Sequence, residues 1–183
     1  TIKKGNALNL SVEAIHENNI GTNPFPDITY SWYKMPSTTV FSPSSNGRDF
    51  NVITKAVISD SGRYYVNASN SCGVVKSNII TVNVYDAPTI TKQPEAIKAC
   101  IDKPLQLTVE ATSIDNTSPL YQWFYQLDLN ETPVPVPGGT GPVLNIPKFS
   151  NSDVGHYFVK VRNSIGETIS NKVIVTANDI PSI

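Results

Sequence analysis

The sequence predicts an all-β chain folded as two tandem β-sandwiches, and three observations carry that prediction. The chain repeats itself once at a spacing of ~93 residues, its apolar residues alternate with polar ones at a period of two, and clusters of Pro, Gly, Asn and Ser punctuate the alternation.

Composition points the same way. Of 183 residues only 16% are charged, with 14 Pro and 10 Gly. That is poor material for long amphipathic helices, since soluble domains usually carry ~25% charged residues. Lys plus Arg number 14 against 15 Asp plus Glu, a net charge of −1, so no nucleic-acid partner is expected. No stretch approaches the ~18 apolar residues of a membrane span, so no direct membrane insertion is expected. The chain opens on neither Met nor a charged-then-apolar leader, as expected of a mature or excised piece. These features predict a non-catalytic module that is extracellular or at the cell surface.

The repeat sets the domain organisation. Asp60-Ser61-Gly62-Arg63-Tyr64-Tyr65-Val66 returns as Asp153-Val154-Gly155-His156-Tyr157-Phe158-Val159. The same shift of 93 carries Asn70 to Asn163, Gly73 to Gly166, Ser77-Asn78 to Ser170-Asn171 and Val82 to Val175. Upstream the shift is 91 for Tyr30-x-Trp32 with Tyr121-x-Trp123, and 97 for Leu8, Leu10, Val12 and Ala14 with Leu105, Leu107, Val109 and Ala111. Blocks that keep their order while the shift drifts are what loops of unequal length leave behind. The junction Asp86-Ala87-Pro88-Thr89-Ile90 recurs as Asp179-Ile180-Pro181-Ser182-Ile183. The expected division is therefore a first domain over 1–86, a second over 87–179, and the start of a following repeat at 180–183. The first domain is expected to lack its opening strand, because the segment from Pro88 to Ala96 has no counterpart before Thr1.

Within each unit the elements follow from periodicity. Leu8, Leu10, Val12 and Ala14 alternate with Asn9, Ser11 and Glu13, which predicts a half-buried strand, and the residues around Val109 repeat the pattern. Ile80, Val82 and Val84, with Val173, Val175 and Ala177, predict the last strands. Turn clusters at Ser42–Gly47 and Pro133–Pro142 separate the strands between.

The order of these features resembles an immunoglobulin-like domain: an apolar strand B, a Trp on strand C (Trp32, Trp123), then Asp-x-Gly-x-Tyr-x-Val leading into strand F. The resemblance implies that Trp32 and Trp123 fill the two cores, and that Tyr64 and Tyr157 form tyrosine corners that return their hydroxyls to nearby backbone. It also implies that Gly62 and Gly155 supply an unusual backbone before strand F, with Asp60 and Asp153 in the turn ahead of it. The positions that usually hold the inter-sheet disulfide carry Val12 and Val66 in the first repeat, Val109 and Val159 in the second. The fold class is thus all-β, two tandem immunoglobulin-like β-sandwiches without the usual inter-sheet disulfide.

Among such domains the chain resembles repeats of large secreted and cell-surface proteins of Bacteroidetes-type bacteria. The phrases Ile90-Thr91-Lys92-Gln93-Pro94, Tyr121-Gln122-Trp123 and Ser71-Cys72-Gly73-Val74-Val75-Lys76-Ser77-Asn78 carry that resemblance. Cadherin and fibronectin modules are alternatives. The tail Ala177-Asn178-Asp179-Ile180-Pro181 is similar to a cadherin linker but lacks its acidic partners, so no metal is expected.

Candidate chemistry is sparse. His16 and His156 read as solvated loop residues, and there is no Gly-x-Ser-x-Gly, phosphate-cradling loop or Cys-x-x-Cys. Neither catalysis nor a cofactor is expected. Cys72 and Cys100 have Ile165 and Lys3 at their repeat-related positions, so neither has a partner in its own repeat. They are expected unpaired, with pairing to each other or to neighbouring repeats as the alternative.

Strand parity turns Tyr33 and Tyr65 outward on adjacent strands, with Phe124 and Phe158 at the same places in the second repeat. Such a pair is either an adhesive or sugar-stacking face or a cross-strand contact that stiffens the sheet by ~0.2–1 kcal/mol. Sequons stand at Asn9, Asn67, Asn116 and Asn130. The stretch Leu127–Leu144, holding Pro133, Pro135, Pro137 and Pro142, reads as the longest irregular loop and as protection for a sheet edge.

The expected function is an extracellular repeat module of a surface adhesin or stalk, a spacer and interaction scaffold. Its expected partners are a protein or glycan at a surface and neighbouring repeats of the same chain, with little bending at the short linker Tyr85–Pro88. The alternative is an accessory non-catalytic region of a secreted multidomain enzyme or carbohydrate-active protein. A third reading, a eukaryotic cell-adhesion ectodomain, is disfavoured by the valines that replace the disulfide.

Overall fold

The computed structural model describes residues 1–14, 28–37, 40–41, 48–115 and 117–178. The turn cluster 42–47, His16, Asn116 and residues 180–183 lie outside the described residues. The chain divides into two compact units, Thr1–Tyr85 and Asp86–Ile183.

Unit 1 contains β1 (Ile2–Lys3), β2 (Leu8–Ser11), β3 (Thr29–Met35), β4 (Val40–Phe41), β5 (Asp49–Ile53), β6 (Gly62–Asn70), β7 (Gly73–Lys76), β8 (Ile80–Val82) and β9 (Val84–Tyr85). One sheet has the order β4-β3-β6-β7, with β8 also paired to β6. The other layer is the antiparallel pair β2–β5, and β1 runs parallel to β9. Unit 2 contains β10 (Thr89–Lys92), β11 (Ile97–Cys100), β12 (Leu105–Thr108), β13 (Glu110–Thr112), β14 (Leu120–Gln126), β15 (Val134–Pro135), β16 (Val143–Ile146), β17 (Gly155–Arg162), β18 (Glu167–Ile169) and β19 (Val173–Asn178). Its larger sheet has the order β11-β19-β17-β14-β15, and β10–β13 and β12–β16 form the facing layer. Here too the short strand β11 runs parallel to β19.

The alternation expected at the second unit's apolar strand is present: Leu105, Leu107 and Val109 are buried while Gln106, Thr108 and Glu110 are exposed. The strand breaks at Val109, whose N–H goes to Pro142 O, and there the chain passes from pairing with β16 to pairing with β10. In unit 1 the strand ends at Ser11, so Val12 is only half-buried, although it packs against the core. The other three valines at the bridge positions, Val66, Val109 and Val159, are buried as a disulfide would be. Cys72 and Cys100 are free and exposed.

Each core is centred on its Trp. Trp32 lies opposite Val66 in register and Trp123 opposite Val159, with Phe50 and Phe149 fully buried in the respective clusters. The proline-rich stretch after β14 is more ordered than the sequence implies. It contributes β15 to the edge of the sheet and then closes around Trp123, whose indole N–H donates to Gly141 O at 3.0 Å and whose backbone bonds Gly139 and Val136.

Candidate interaction face

The turns leading into β6 and β17 are single 3₁₀ turns, Ile58–Asp60 and Asn151–Asp153. Their aspartates cap them: Val57 N–H donates to Asp60 Oδ2 at 2.7 Å and Ser150 N–H to Asp153 Oδ2 at 2.8 Å. Tyr64 OH then donates to Asp60 O at 2.7 Å, and Tyr157 OH to Asp153 O at 2.9 Å. The carboxylate shapes the turn, and the turn presents the carbonyl that satisfies the buried phenol.

Burial, reinforced by the nearby Asp60 charge, pushes the Tyr64 hydroxyl up to about 12. Burial and Asp153 push Tyr157 in the same direction. An unfolded Tyr ionises near ~10, so the folded pKa is raised. The stability this contributes is full below pH ~10 and is lost as pH rises toward 12. Alkaline unfolding followed by circular dichroism is therefore expected to begin near pH ~10, and Tyr64→Phe to remove unit 1's share of that alkaline loss. An unchanged alkaline profile in Tyr64→Phe contradicts the assignment.

The glycine of each motif, Gly62 or Gly155, has the unusual backbone expected of it, φ +157°, which L side chains rarely adopt, and the neighbouring strand adds a second demand. A Cβ on Gly155 would lie 2.6 Å from Tyr125 Cε2 and 2.9 Å from Gln126 O; one on Gly62 would lie 2.8 Å from Lys34 Cε. Lys34 and Tyr125 are repeat-related, and each reaches the adjoining 3₁₀ turn. Lys34 Nζ donates to Ser59 O, and Tyr125 OH donates to Val154 O at 2.9 Å.

The structure also explains Ser77 and Ser170, which the sequence marks only as repeated. Between β7 and β8, and between β18 and β19, the last strand leaves the ladder, and the serine takes over. Val66 N–H donates to Ser77 Oγ and Val159 N–H to Ser170 Oγ, both at 3.0 Å, while the serine N–H groups return to Val66 O and Val159 O. No spacing rule finds this, because the two partners are eleven residues apart on different strands.

The outward aromatic residues form two pairs. Tyr33 and Tyr65 are cross-strand neighbours stacked at 4.9 Å and 11°, and Phe124 and Phe158 stack at 5.2 Å and 9°. Their surroundings differ. Both tyrosines are half-buried, with Lys76 Nζ 3.9 Å from the Tyr65 ring centroid. Phe158 is buried, at 5% exposure, which corrects the expectation that it lies open. Lys172 Nζ stands 5.5 Å from its ring, held by Gln126 Oε1 at 2.8 Å, and Lys160 covers Phe124 at 5.3 Å while pairing with Glu167. Parity names the face; the covering lysines come from other strands and loops.

The remaining candidates are dispersed. His156 lies on β17 opposite Gln126 and is half-buried, not in a solvated loop. Among the sequons, Asn9 is exposed, Asn130 is tied to Asp128, and Asn67 is half-buried with its Oδ1 enclosed. Among the described residues no group of three or more His, Cys, Asp and Glu is arranged to hold a metal ion. No helix among them is long and apolar enough to cross a membrane.

Comparison with known proteins gives the fold its family resemblance. No family model matches the chain. Mouse hemicentin-1 is 32% identical over 161 residues, covering 81% of this chain but 3% of hemicentin-1. The four immunoglobulin domains of Sidekick-1 superpose with a TM-score of 0.63 at 17% identity, over 97% of this chain and 46% of that one. The insect immune protein hemolin, whose domain arrangement carries implications for homophilic adhesion, gives 0.56 at 18% identity, over 97% and 44%. The fold is that of tandem immunoglobulin-like domains, and the sequence relatives are animal proteins.

Proposed function

We propose that the chain is a spacer and interaction segment of an extracellular adhesion array, in which the Tyr33–Tyr65 face of unit 1 meets a protein or glycan and unit 2 acts as spacer. The observation that supports this reading is the contrast between the two aromatic pairs. In unit 1 two phenol rings and the Lys76 ammonium stand together on a half-open sheet face, a combination of flat apolar surface with polar tips that suits stacking on a sugar or a side chain. In unit 2 the equivalent rings carry no hydroxyls and Phe158 is buried, with Lys160 and Lys172 near the two rings, which fits a structural role.

The bacterial resemblance supports the array through the phrases that carry it, and the animal relatives support adhesion. They favour the ectodomain reading that the valine-filled cores count against. A catalytic domain elsewhere in the same protein would make this pair its accessory region, and the full-length sequence decides between the two.

The test is adhesion of beads coated with the chain to cell and glycan surfaces. The Tyr33→Ser/Tyr65→Ser double variant is expected to lose adhesion at least ~10-fold, a difference of about 1.4 kcal/mol, with Trp fluorescence reporting that unit 1 remains folded. Adhesion equal to the parent removes the face from the mechanism.

A further inference from the structure

Both faces of the Tyr65 ring are taken. Tyr33 stacks on one at 4.9 Å, a gap too narrow to admit an ammonium group, so Lys76 Nζ, 3.9 Å from the Tyr65 centroid, covers the other. The sheet order β3-β6-β7 puts these two neighbours on opposite sides of β6. The rings therefore stand on edge, and what Tyr65 presents outward is its rim and its hydroxyl. The rim of an aromatic ring is its positive part. Neither phenol hydroxyl has a hydrogen-bond partner among the described residues.

The rest of the face has the same sign. Tyr64 and Val66 are buried, so Arg63, Tyr65 and Asn67 share the outward side of β6, and Lys76 joins them as the cross-strand neighbour of Asn67. Arg63 and Lys76 are exposed, and neither pairs with a carboxylate among the described residues. No Asp or Glu occupies an outward position on β3, β6, β7 or β8. The amide oxygen of Asn67, which could accept a hydrogen bond there, is enclosed. The face thus offers an ammonium, a guanidinium, two hydroxyls and ring edges, and withholds its amide acceptor.

Unit 2 carries none of these four groups. At the repeat-related positions stand His156 for Arg63, Ile169 for Lys76, and Phe124 and Phe158 for the two tyrosines. The pairing is the same, since Ile169 lies opposite Lys160 as Lys76 lies opposite Asn67. The two lysines near that face are already engaged, Lys160 with Glu167 at 3.2 Å and Lys172 with Gln126 Oε1 at 2.8 Å.

We propose, taking the Tyr33–Tyr65 face as adhesive, that its partner is a protein and that it takes an extended acidic segment with carboxylates on alternate residues. Sugar stacking needs an open ring face, and Tyr65 has none. An extended segment laid along β6 places alternate side chains ~6.4–6.8 Å apart, the same spacing that separates Arg63 from Tyr65. One carboxylate then meets Arg63, and the next meets Lys76 Nζ and the phenol hydroxyls beside it. Both contacts are charge-assisted hydrogen bonds, which a neutral segment does not match.

The test titrates a short synthetic peptide of alternating Glu and Ser, with blocked ends, into the full chain and follows backbone amide spectra. Saturable shifts are expected at Arg63, Tyr65 and Lys76, and none at His156, Phe158 and Ile169. The same peptide with Gln for Glu is expected to shift nothing, and salt at ~1 M, where screening acts within ~3 Å, to weaken the Glu peptide. Arg63→Gln and Lys76→Gln are each expected to weaken it roughly 2- to 5-fold, the size of an exposed ion pair. Tyr33→Phe/Tyr65→Phe keeps the stack, removes the hydroxyls, and is expected to weaken it roughly 3-fold or more. Absence of shifts at millimolar peptide overturns the proposal, as does equal binding of the Gln peptide. A galacturonate oligomer that binds more tightly than the peptide would assign the face to an acidic glycan and overturn the stated partner. The bead assay separates this proposal from its premise. Adhesion lost in Tyr33→Ser/Tyr65→Ser but kept in Arg63→Gln/Lys76→Gln leaves the face adhesive and overturns the acidic partner, whereas adhesion kept in both removes the face itself.

Discussion

Trp123→Ala is expected to lower the stability of unit 2 by about 3–5 kcal/mol, the range for removing a large aromatic ring from a packed core. Trp123 is 0% exposed, lies across from Val159, and sits in the cluster with Leu144, Phe149 and Tyr157. Its loss leaves a cavity and also orphans Gly141 O, the acceptor of the indole N–H. The proline-rich stretch closes on this side chain, so its order is expected to go as well. Denaturant unfolding followed by methyl signals of Val159 and Val175 measures the effect. Trp123→Phe, which keeps a ring and gives up the hydrogen bond, is expected to lose distinctly less. A Trp123→Ala midpoint within error of the parent would mean that the core is not built on this residue.

Gly155→Ala is expected to follow in size, at about 2–3 kcal/mol, near the top of the usual range for overpacking. One methyl group must fit where Tyr125 Cε2 stands at 2.6 Å and Gln126 O at 2.9 Å. The carbonyl belongs to the paired strand β14 and cannot withdraw without opening the ladder between Gln126 and His156. Tyr125 is in turn anchored through its hydroxyl to Val154 O. Gly62→Ala makes the informative comparison. The nearest atom there is Lys34 Cε, near the flexible end of a long side chain, at 2.8 Å, so the side chain swings away at the cost of its bond to Ser59 O. Backbone strain at φ +157° is common to both positions, about 1–3 kcal/mol, so Gly62→Ala is expected to lose less than Gly155→Ala by the packing part alone. Equal losses at the two positions, read from paired thermal or denaturant midpoints, would mean that backbone strain accounts for the whole effect.

How far the sequence could be read depends on the kind of interaction involved. The half-buried strands were legible from alternation, whereas the Trp cores, the tyrosine corners and the turn aspartates were legible through the resemblance to an immunoglobulin-like domain. Tyr64 reaches back four residues to Asp60 O, and Leu105, Leu107 and Val109 keep the period that one buried face requires. The same alternation holds through Val12, which packs against the core but is only half-buried because β2 has already ended. Phe158 departs from expectation. Its outward parity was right, but exposure depends on what lies over the face, and Lys172 arrives from beyond β18, tethered to Gln126 on β14.

By itself, then, the sequence determined that there are two repeats, that each is a β-sandwich built on a Trp, and that valines stand where a disulfide usually would. The repeats and the sandwich follow from periodicity, turn chemistry and self-similarity, all internal to the chain; the role of the Trp and the disulfide positions follow from the resemblance to an immunoglobulin-like domain. Only the tertiary structure decided that Ser77 and Ser170 replace a stretch of ladder and that the neighbouring strand adds a second demand for glycine at Gly155. It alone showed that Phe158 is buried while Tyr33 and Tyr65 are half-buried. The physical reason is common to all of them: each depends on which side chains from distant strands converge on one spot, and spacing along the chain says which way a residue faces without saying what it meets there.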